Sequence, residues 1–272
     1  MKNLLKVFWF LFLIAFIKID IIKSDCPPTK AWIQQLLDKA LIPGAALIVI
    51  NANETIYQQA VGYHSPLISQ ARQSMDPVSS IFMLASISKT FIPISAMQLV
   101  ELNQLDLDED INQYLLPRMK IIHPYFPNAK ITTRHLLTHS SGIGLNLLEQ
   151  NKFYLPDDRF IQTNLGDLIE NYLKKNESWL PIPPSNITFY SNVGAGLAAF
   201  IIERISGISF EEYVHEKILK ILNIDEKEAS YRLSDFQEQK NNLVDHYVYN
   251  VSWLQTFQQD IPQLNITRVN FK

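Results

Sequence analysis

Strands are scarce in this chain, and that scarcity limits its fold most. Gly44-Ala-Ala-Leu-Ile-Val-Ile50 and Thr55-Ile-Tyr-Gln-Gln-Ala-Val61 flank the turn Asn51-Ala-Asn-Glu54 and read as one β-hairpin. Almost everything else carries helical spacing. Thr29 to Lys39 has apolar residues at Ala31, Ile33, Leu36 and Leu37. Ser86 to Asn103 reads as a long helix with a buried side of Ile92, Ala96, Leu99 and Val100, strained at Pro93 unless the helix bends. Asp108 to Leu115 and Thr133 to Thr138 read as short helices. Asn164 to Lys174, Val193 to Ser206 and Ser209 to Leu222 read as longer ones, the last two parted by Gly207. From Asp225 the periodicity fades into an extended region around His246 to Trp253. A lone hairpin is marginal in water. The prediction is a mixed α/β (α+β) chain with a stable helical lobe and a poorly supported sheet lobe.

Length permits a full core: 272 residues, 47% of them hydrophobic, suit one domain of two lobes. A net charge of −3 with no basic block excludes the nucleic-acid and membrane-surface signals. The run Asp106-Leu-Asp-Glu-Asp110 lacks the glycine and terminal glutamate of a calcium loop and reads as an acidic helix start. At the N-terminus, Lys2 and Lys6 precede the apolar run Phe8 to Ile17, followed by Lys18, Asp20 and Lys23. That run is too short to span a bilayer and reads as a signal peptide over 1–24, an uncleaved anchor being the alternative. Sequons at Asn53, Asn176, Asn186, Asn250 and Asn265 suit a secretory route, with Asn186 expected unused because it lies close to Tyr190. Cys26 is the single cysteine, which points to an intermolecular bridge or a missing partner.

Within Phe82-Met-Leu-Ala-Ser-Ile-Ser-Lys-Thr-Phe91, Ser86 is followed three places later by Lys89. On a helix that spacing puts both side chains on one face. A serine hydroxyl is a poor nucleophile until a base takes its proton. An amine does this only once its pKa falls from about 10.4 toward neutrality, as desolvation at a buried helix N-terminus would bring about. Ser-x-x-Lys alone turns up about once by chance in a chain this long. The segments Ile131-Thr-Thr-Arg-His-Leu-Leu-Thr-His-Ser-Ser-Gly-Ile143 and Tyr190-Ser-Asn192 add the missing specificity.

Together, in this order, the three segments resemble the serine β-lactamase and penicillin-binding-protein family, in its class C-like branch of β-lactamase-related esterases and peptidases. The resemblance runs from about Ala31 to about Ile224. It implies acylation of Ser86, activation by Lys89, proton shuttling by Tyr190 and substrate orientation by the Asn192 amide. The plainer readings are a buried aromatic at Tyr190 and a helix N-cap at Asn192. It also implies a five-stranded antiparallel sheet and a third motif, Lys-Thr-Gly or His-x-Gly, whose strand donates half the oxyanion hole. Neither triplet occurs in the chain. The expectation is thus a β-lactamase-related domain over 27–272 lacking its C-terminal strands. Its implied activity is a secreted serine hydrolase for ester or amide bonds in β-lactams, D-amino peptides or small carboxylesters. No cofactor or metal is implied, the partner is a small-molecule or peptide substrate, and no membrane span remains after signal cleavage. The alternative is a non-catalytic relative.

Three other patterns compete. His135 and His139 stand at zinc-like spacing, but Leu136 occupies the place of the metalloprotease glutamate, so polar packing beneath the cleft explains them better. Gly194-Ala-Gly-Leu-Ala-Ala199 matches a dinucleotide fingerprint without its βαβ setting, and close helix packing accounts for it. There is no Gly-x-Ser-x-Gly elbow. Arg134 reads as a structural donor rather than a substrate clamp, and the aromatic-rich stretch Tyr247 to Phe257 as core or surface packing, with the rim of a substrate cleft as the alternative.

Overall fold

The computed structural model describes residues 28–65, 72–155 and 157–246. The expected signal segment, Cys26, the sequons at Asn250 and Asn265 and the stretch Tyr247 to Phe257 lie outside them. Two compact units form, one up to Ser80 with Val244–His246 and one over Ile81–Leu243.

In the first unit, helix α1 (Lys30–Ala40) starts at Thr29, whose hydroxyl accepts the Trp32 N–H at 3.2 Å, and stops at Leu41 in the left-handed region. Strands β1 (Gly44–Ile50) and β2 (Thr55–Gly62) pair antiparallel from Gly44 opposite Gly62 to Ile50 opposite Thr55, with an irregularity between Val49 and Ile50. The Asn51 carboxamide closes the turn by accepting the Asn53 and Glu54 N–H groups, both at 2.8 Å. One face of the hairpin buries Val61, with Ala45 and Leu47 partly buried, against Ile33 and Leu37 of α1. On the other face Ile48, Ile50 and Ile56 remain 60–66% exposed. Among the described residues the sheet has these two strands.

The second unit is helical. The expected helix from Ser86 divides in two, a 3₁₀ helix over Ala85–Thr90 and then α2 (Phe91–Glu101). Pro93 thus falls in the first turn of α2, where a missing N–H costs little, and no bend is required. The chain then adds a single 3₁₀ turn at Ile111–Gln113, capped by Asp110, where a helix over Asp108 to Leu115 was expected. It continues with α3 (Thr133–Leu137), α4 (Leu147–Gln150) and α5 (Leu165–Leu173). Next come α6 (Asn192–Ser206) and α7 (Phe210–Val214), which runs on as a π-helical turn over His215–Leu219.

Helix α6 is the centre of the core. Leu197, Ala198, Ile201 and Ile202 are fully buried beside Ala96 and Leu99 of α2, Leu136 of α3 and Ile169 and Tyr172 of α5. A Cβ at Gly166 would lie 2.5 Å from the Phe200 ring, so only glycine lets the start of α5 approach α6 this closely. Gly194 to Ala199 lies inside α6 as packing surface, preceded by a loop rather than a parallel strand. Among the described residues no single helix is long and apolar enough to cross a membrane.

Backbone bonds stitch the segment after α3 to the loop before α6. Ser140 C=O accepts Ser185 N–H at 2.9 Å, Gly142 C=O accepts Leu180 N–H at 2.9 Å, and Gly144 N–H donates to Ser178 C=O at 2.8 Å. Beneath this seam lies His123, fully buried between Phe126 and Trp179, its pKa pushed down by that burial. Gly142 sits at φ +81°, and a Cβ there would come within 2.7 Å of His123 Nε2.

Two outcomes follow from this packing. Gly142→Ala combines a strained left-handed alanine with an overpacked contact and should lose at least about 2 kcal/mol, read from urea midpoints; an unchanged midpoint would contradict the close approach. The hairpin rests on a small core of Ile33, Leu37 and Val61. Its amides should therefore exchange with deuterium through openings of lower free energy than those of α6, and equal protection would show a single cooperative block.

Candidate active site

The Ser-x-x-Lys segment works through the 3₁₀ turn. With about three residues per turn, side chains at i and i+3 eclipse, which aligns Ser86 with Lys89 more closely than an α-helix would. Lys89 Nζ donates to Ser86 Oγ at 3.1 Å. Ala85, just before the nucleophile candidate, has φ +47°, a strained value for alanine that turns the chain sharply into the helix.

Tyr190, 104 residues away, donates its phenolic O–H to the same Ser86 Oγ at 2.9 Å. Lys89 Nζ lies 5.4 Å from the centre of the Tyr190 ring. Burial raises the Tyr190 pKa, but its hydrogen bonds with Lys89 and Ser86 and the Lys89 charge outweigh this and bring it below the ordinary tyrosine value. A serine hydroxyl flanked by an amine and an acidified phenol can lose and regain a proton without a metal ion. The site is more open than a buried helix N-terminus would be: Ser86 is exposed, Lys89 half-buried and Tyr190 48% exposed.

Asn192 is exposed on the first turn of α6, and among the described residues no hydrogen bond ties its amide to Ser86, Lys89 or Tyr190. The N-cap is Ser191, one place earlier, whose hydroxyl accepts the Gly194 N–H at 3.0 Å.

His139 does belong there, and its zinc-like spacing from His135 obscures it. Helix α3 ends at Leu137, so the two histidines share no helix face. His135 Nδ1 accepts the Thr132 N–H at 3.3 Å in a capping box, and its Nε2 pairs with Ser185 Oγ at 2.6 Å. His139 adopts φ +56° and lays its ring 4.5 Å from that of Tyr190. The run of small polar residues Ser140-Ser-Gly142 after it is the sequence signal that the helix has already stopped. Arg134 forms a bidentate pair with Asp108 at 2.6 and 2.7 Å, a structural role. Among the described residues no cluster of His, Cys, Asp and Glu converges as a metal site.

A recess of about 250 Å³ opens at Ser86, Lys89 and Tyr190 and is floored by Ile92, Pro93, Leu136 and Ala195. A larger cavity, about 340 Å³, lies along α4 and α5 but holds no nucleophile, and its Lys152 and Lys174 are paired with Glu149 and Glu170. The three candidate residues therefore meet at the smaller recess.

Residues 29–239 match the family model described as Beta-lactamase. The chain is 28% identical over 196 residues to a β-lactamase of Providencia stuartii, covering 71% of this chain and 44% of that protein. It is 27% identical over 194 residues to esterase EstB of Burkholderia gladioli, covering 67% and 47%. The octameric penicillin-binding protein homologue from Pyrococcus abyssi superposes with a TM-score of 0.65 at 25% identity, over 82% of this chain and 48% of that one. The chain thus spans under half the length of these relatives. With most of its length matched by one family model, and the helical lobe and two-stranded antiparallel sheet in place, the chain belongs to the Beta-lactamase family.

Proposed function

We propose that this protein is a serine hydrolase that cleaves ester or amide bonds through an acyl-enzyme on Ser86. The observation that carries this reading is the convergence of Lys89 Nζ at 3.1 Å and Tyr190 Oη at 2.9 Å on one hydroxyl oxygen. In the reactive state the Tyr190 phenolate, favoured by the Lys89 charge, accepts the Ser86 proton as Oγ bonds to the substrate carbonyl carbon. The carbonyl π bond opens to an oxyanion. The Ser86 N–H supports that oxyanion from the first turn of the 3₁₀ helix, where N–H groups have no helical acceptor. As the carbonyl re-forms, the bond to the leaving oxygen or nitrogen breaks, and Tyr190 returns its proton to that atom. Water repeats the cycle and releases the acid. Asn192, exposed on the first turn of α6 two residues after Tyr190, orients the substrate.

The apolar floor of the recess favours a substrate carrying a compact apolar group beside the scissile carbonyl, and small carboxylesters fit this better than long peptides. Family relatives named as a β-lactamase and an esterase keep both bond types open. A fluorophosphonate should add once to the folded protein at Ser86, as read by intact mass. Ser86→Ala should abolish the adduct, and Tyr190→Phe should slow it roughly 10²–10⁴-fold. A folded protein that gains no adduct would support the non-catalytic reading.

We also infer a secretory route from the basic-then-apolar N-terminus. Asn53, Asn176 and Asn186 are all exposed. Expression in a eukaryotic secretory host should give a glycan-bearing product that begins near residue 25; a product retaining Met1 would contradict cleavage.

A further inference from the structure

His139 holds both neighbours of Tyr190. Its carbonyl oxygen accepts the Phe189 N–H at 2.7 Å, and its Nδ1 accepts the Ser191 N–H at 3.2 Å. Residue 190 is thereby fixed from both sides by one residue, while the imidazole packs against the phenol at 4.5 Å between ring centres. The left-handed conformation of His139 makes this double grip possible, because it turns the carbonyl and the side chain toward the same strand of backbone. Histidine, asparagine and aspartate are the non-glycine residues that adopt this conformation most readily.

The grip requires a neutral ring. Nδ1 can accept from Ser191 only with its lone pair free, so the proton resides on Nε2. The charged and titratable groups facing the imidazole are Lys89 from the 3₁₀ helix and Tyr190 from the loop before α6. His135, one turn earlier, is turned toward Ser185. Burial, followed by the Lys89 charge, lowers the His139 pKa below the ordinary histidine value. A proton arriving at Nδ1 would oppose the Ser191 N–H and set a second cation beside Lys89.

We propose that His139 is the positioning residue for Tyr190. Its neutral imidazole keeps the phenolic oxygen on Ser86 Oγ, and its protonation releases Tyr190 and stops acylation. The catalytic consequence rests on the acyl-enzyme reading above; the grip itself does not. In sign, the grip is complete above the unfolded-histidine value near 6.5 and is lost as pH falls through the lower folded value.

Two measurements test this. First, the rate of Ser86 labelling by a fluorophosphonate is followed from pH 4.5 to 8.5 in the wild type, His139→Ala and His139→Asn, with folding checked by circular dichroism. His139→Ala should label roughly 10²-fold more slowly at pH 7.5, the cost of a misplaced reacting group. His139→Asn keeps an acceptor and tolerates the left-handed backbone, so it should recover most of that rate and lose the acid limb assigned to His139. Equal rates in all three proteins, or an acid limb unchanged in His139→Asn, would overturn the assignment. Second, ¹³C NMR of labelled tyrosine Cζ needs no turnover. The Tyr190 signal should shift with a midpoint below 6.5 in the wild type and stay flat there in His139→Asn. If the wild type takes no label but shows this linked shift, the hydrolase reading fails and the grip stands. A Tyr190 signal indifferent to His139 would sink the grip itself.

Discussion

Everything at the site depends on the backbone seam between the segment after α3 and the loop before α6. A phenol from residue 190 reaches a hydroxyl from residue 86 only because the loop carrying it is hydrogen-bonded, residue by residue, to His139, Ser140, Gly142 and Gly144. Neither side of the seam is a regular strand, so its N–H and C=O groups pair across it and with neighbouring groups such as Tyr172, whose O–H donates to Gly144 C=O at 2.9 Å. That requirement explains the unusual backbone along it. His139 and Ser185 have positive φ without being glycine, and Gly142 has positive φ above a buried histidine. Irregular backbone held this way is stiff, and stiffness matters here because Ser86 and Tyr190 are themselves exposed.

Electrostatics then assigns the protons. Lys89 is the cation that acts on both aromatic rings. Its charge favours the ionised phenol and, after burial, disfavours the ionised imidazole, so one amine acidifies the phenol and helps keep the neighbouring ring neutral. The two effects reinforce each other. A neutral His139 leaves the Tyr190 loop in place, and a seated phenol stays within the field of the amine. Burial acts against the ionised phenol, but on the imidazole it acts in the same direction as the Lys89 charge.

The meeting of Ser86, Lys89 and Tyr190 was more legible in the sequence than its setting, because it showed in their order and spacing. The alignment of Ser86 with Lys89 holds, although a 3₁₀ turn supplies it where an α-helix was expected, because 3- and 3.6-residue periods agree over three positions. Asn192 was misplaced by one step in local chemistry. Serine and asparagine both cap helices, and Ser191 reaches the Gly194 N–H. His139 was hidden for a different reason. Its partners are a backbone N–H and a ring some fifty positions downstream, and no helical or strand period records such contacts. The hairpin and its helix were visible from apolar spacing and from the turn at Asn51, and the structure adds the Thr29 cap.

The division of the chain into two units bears on where function resides. The hydrogen bonds that join Ser86, Lys89, Tyr190 and His139 lie within Ile81–Leu243. Helices suit such self-sufficiency, because their backbone bonds are internal and one apolar face each is enough to build the α6-centred core. A hairpin is different, since its edges and its second face need partners, and Ile48, Ile50 and Ile56 stand exposed on that face. Substitutions on the exposed face of β1 should change solubility and association well before they change the rate of the proposed acylation of Ser86.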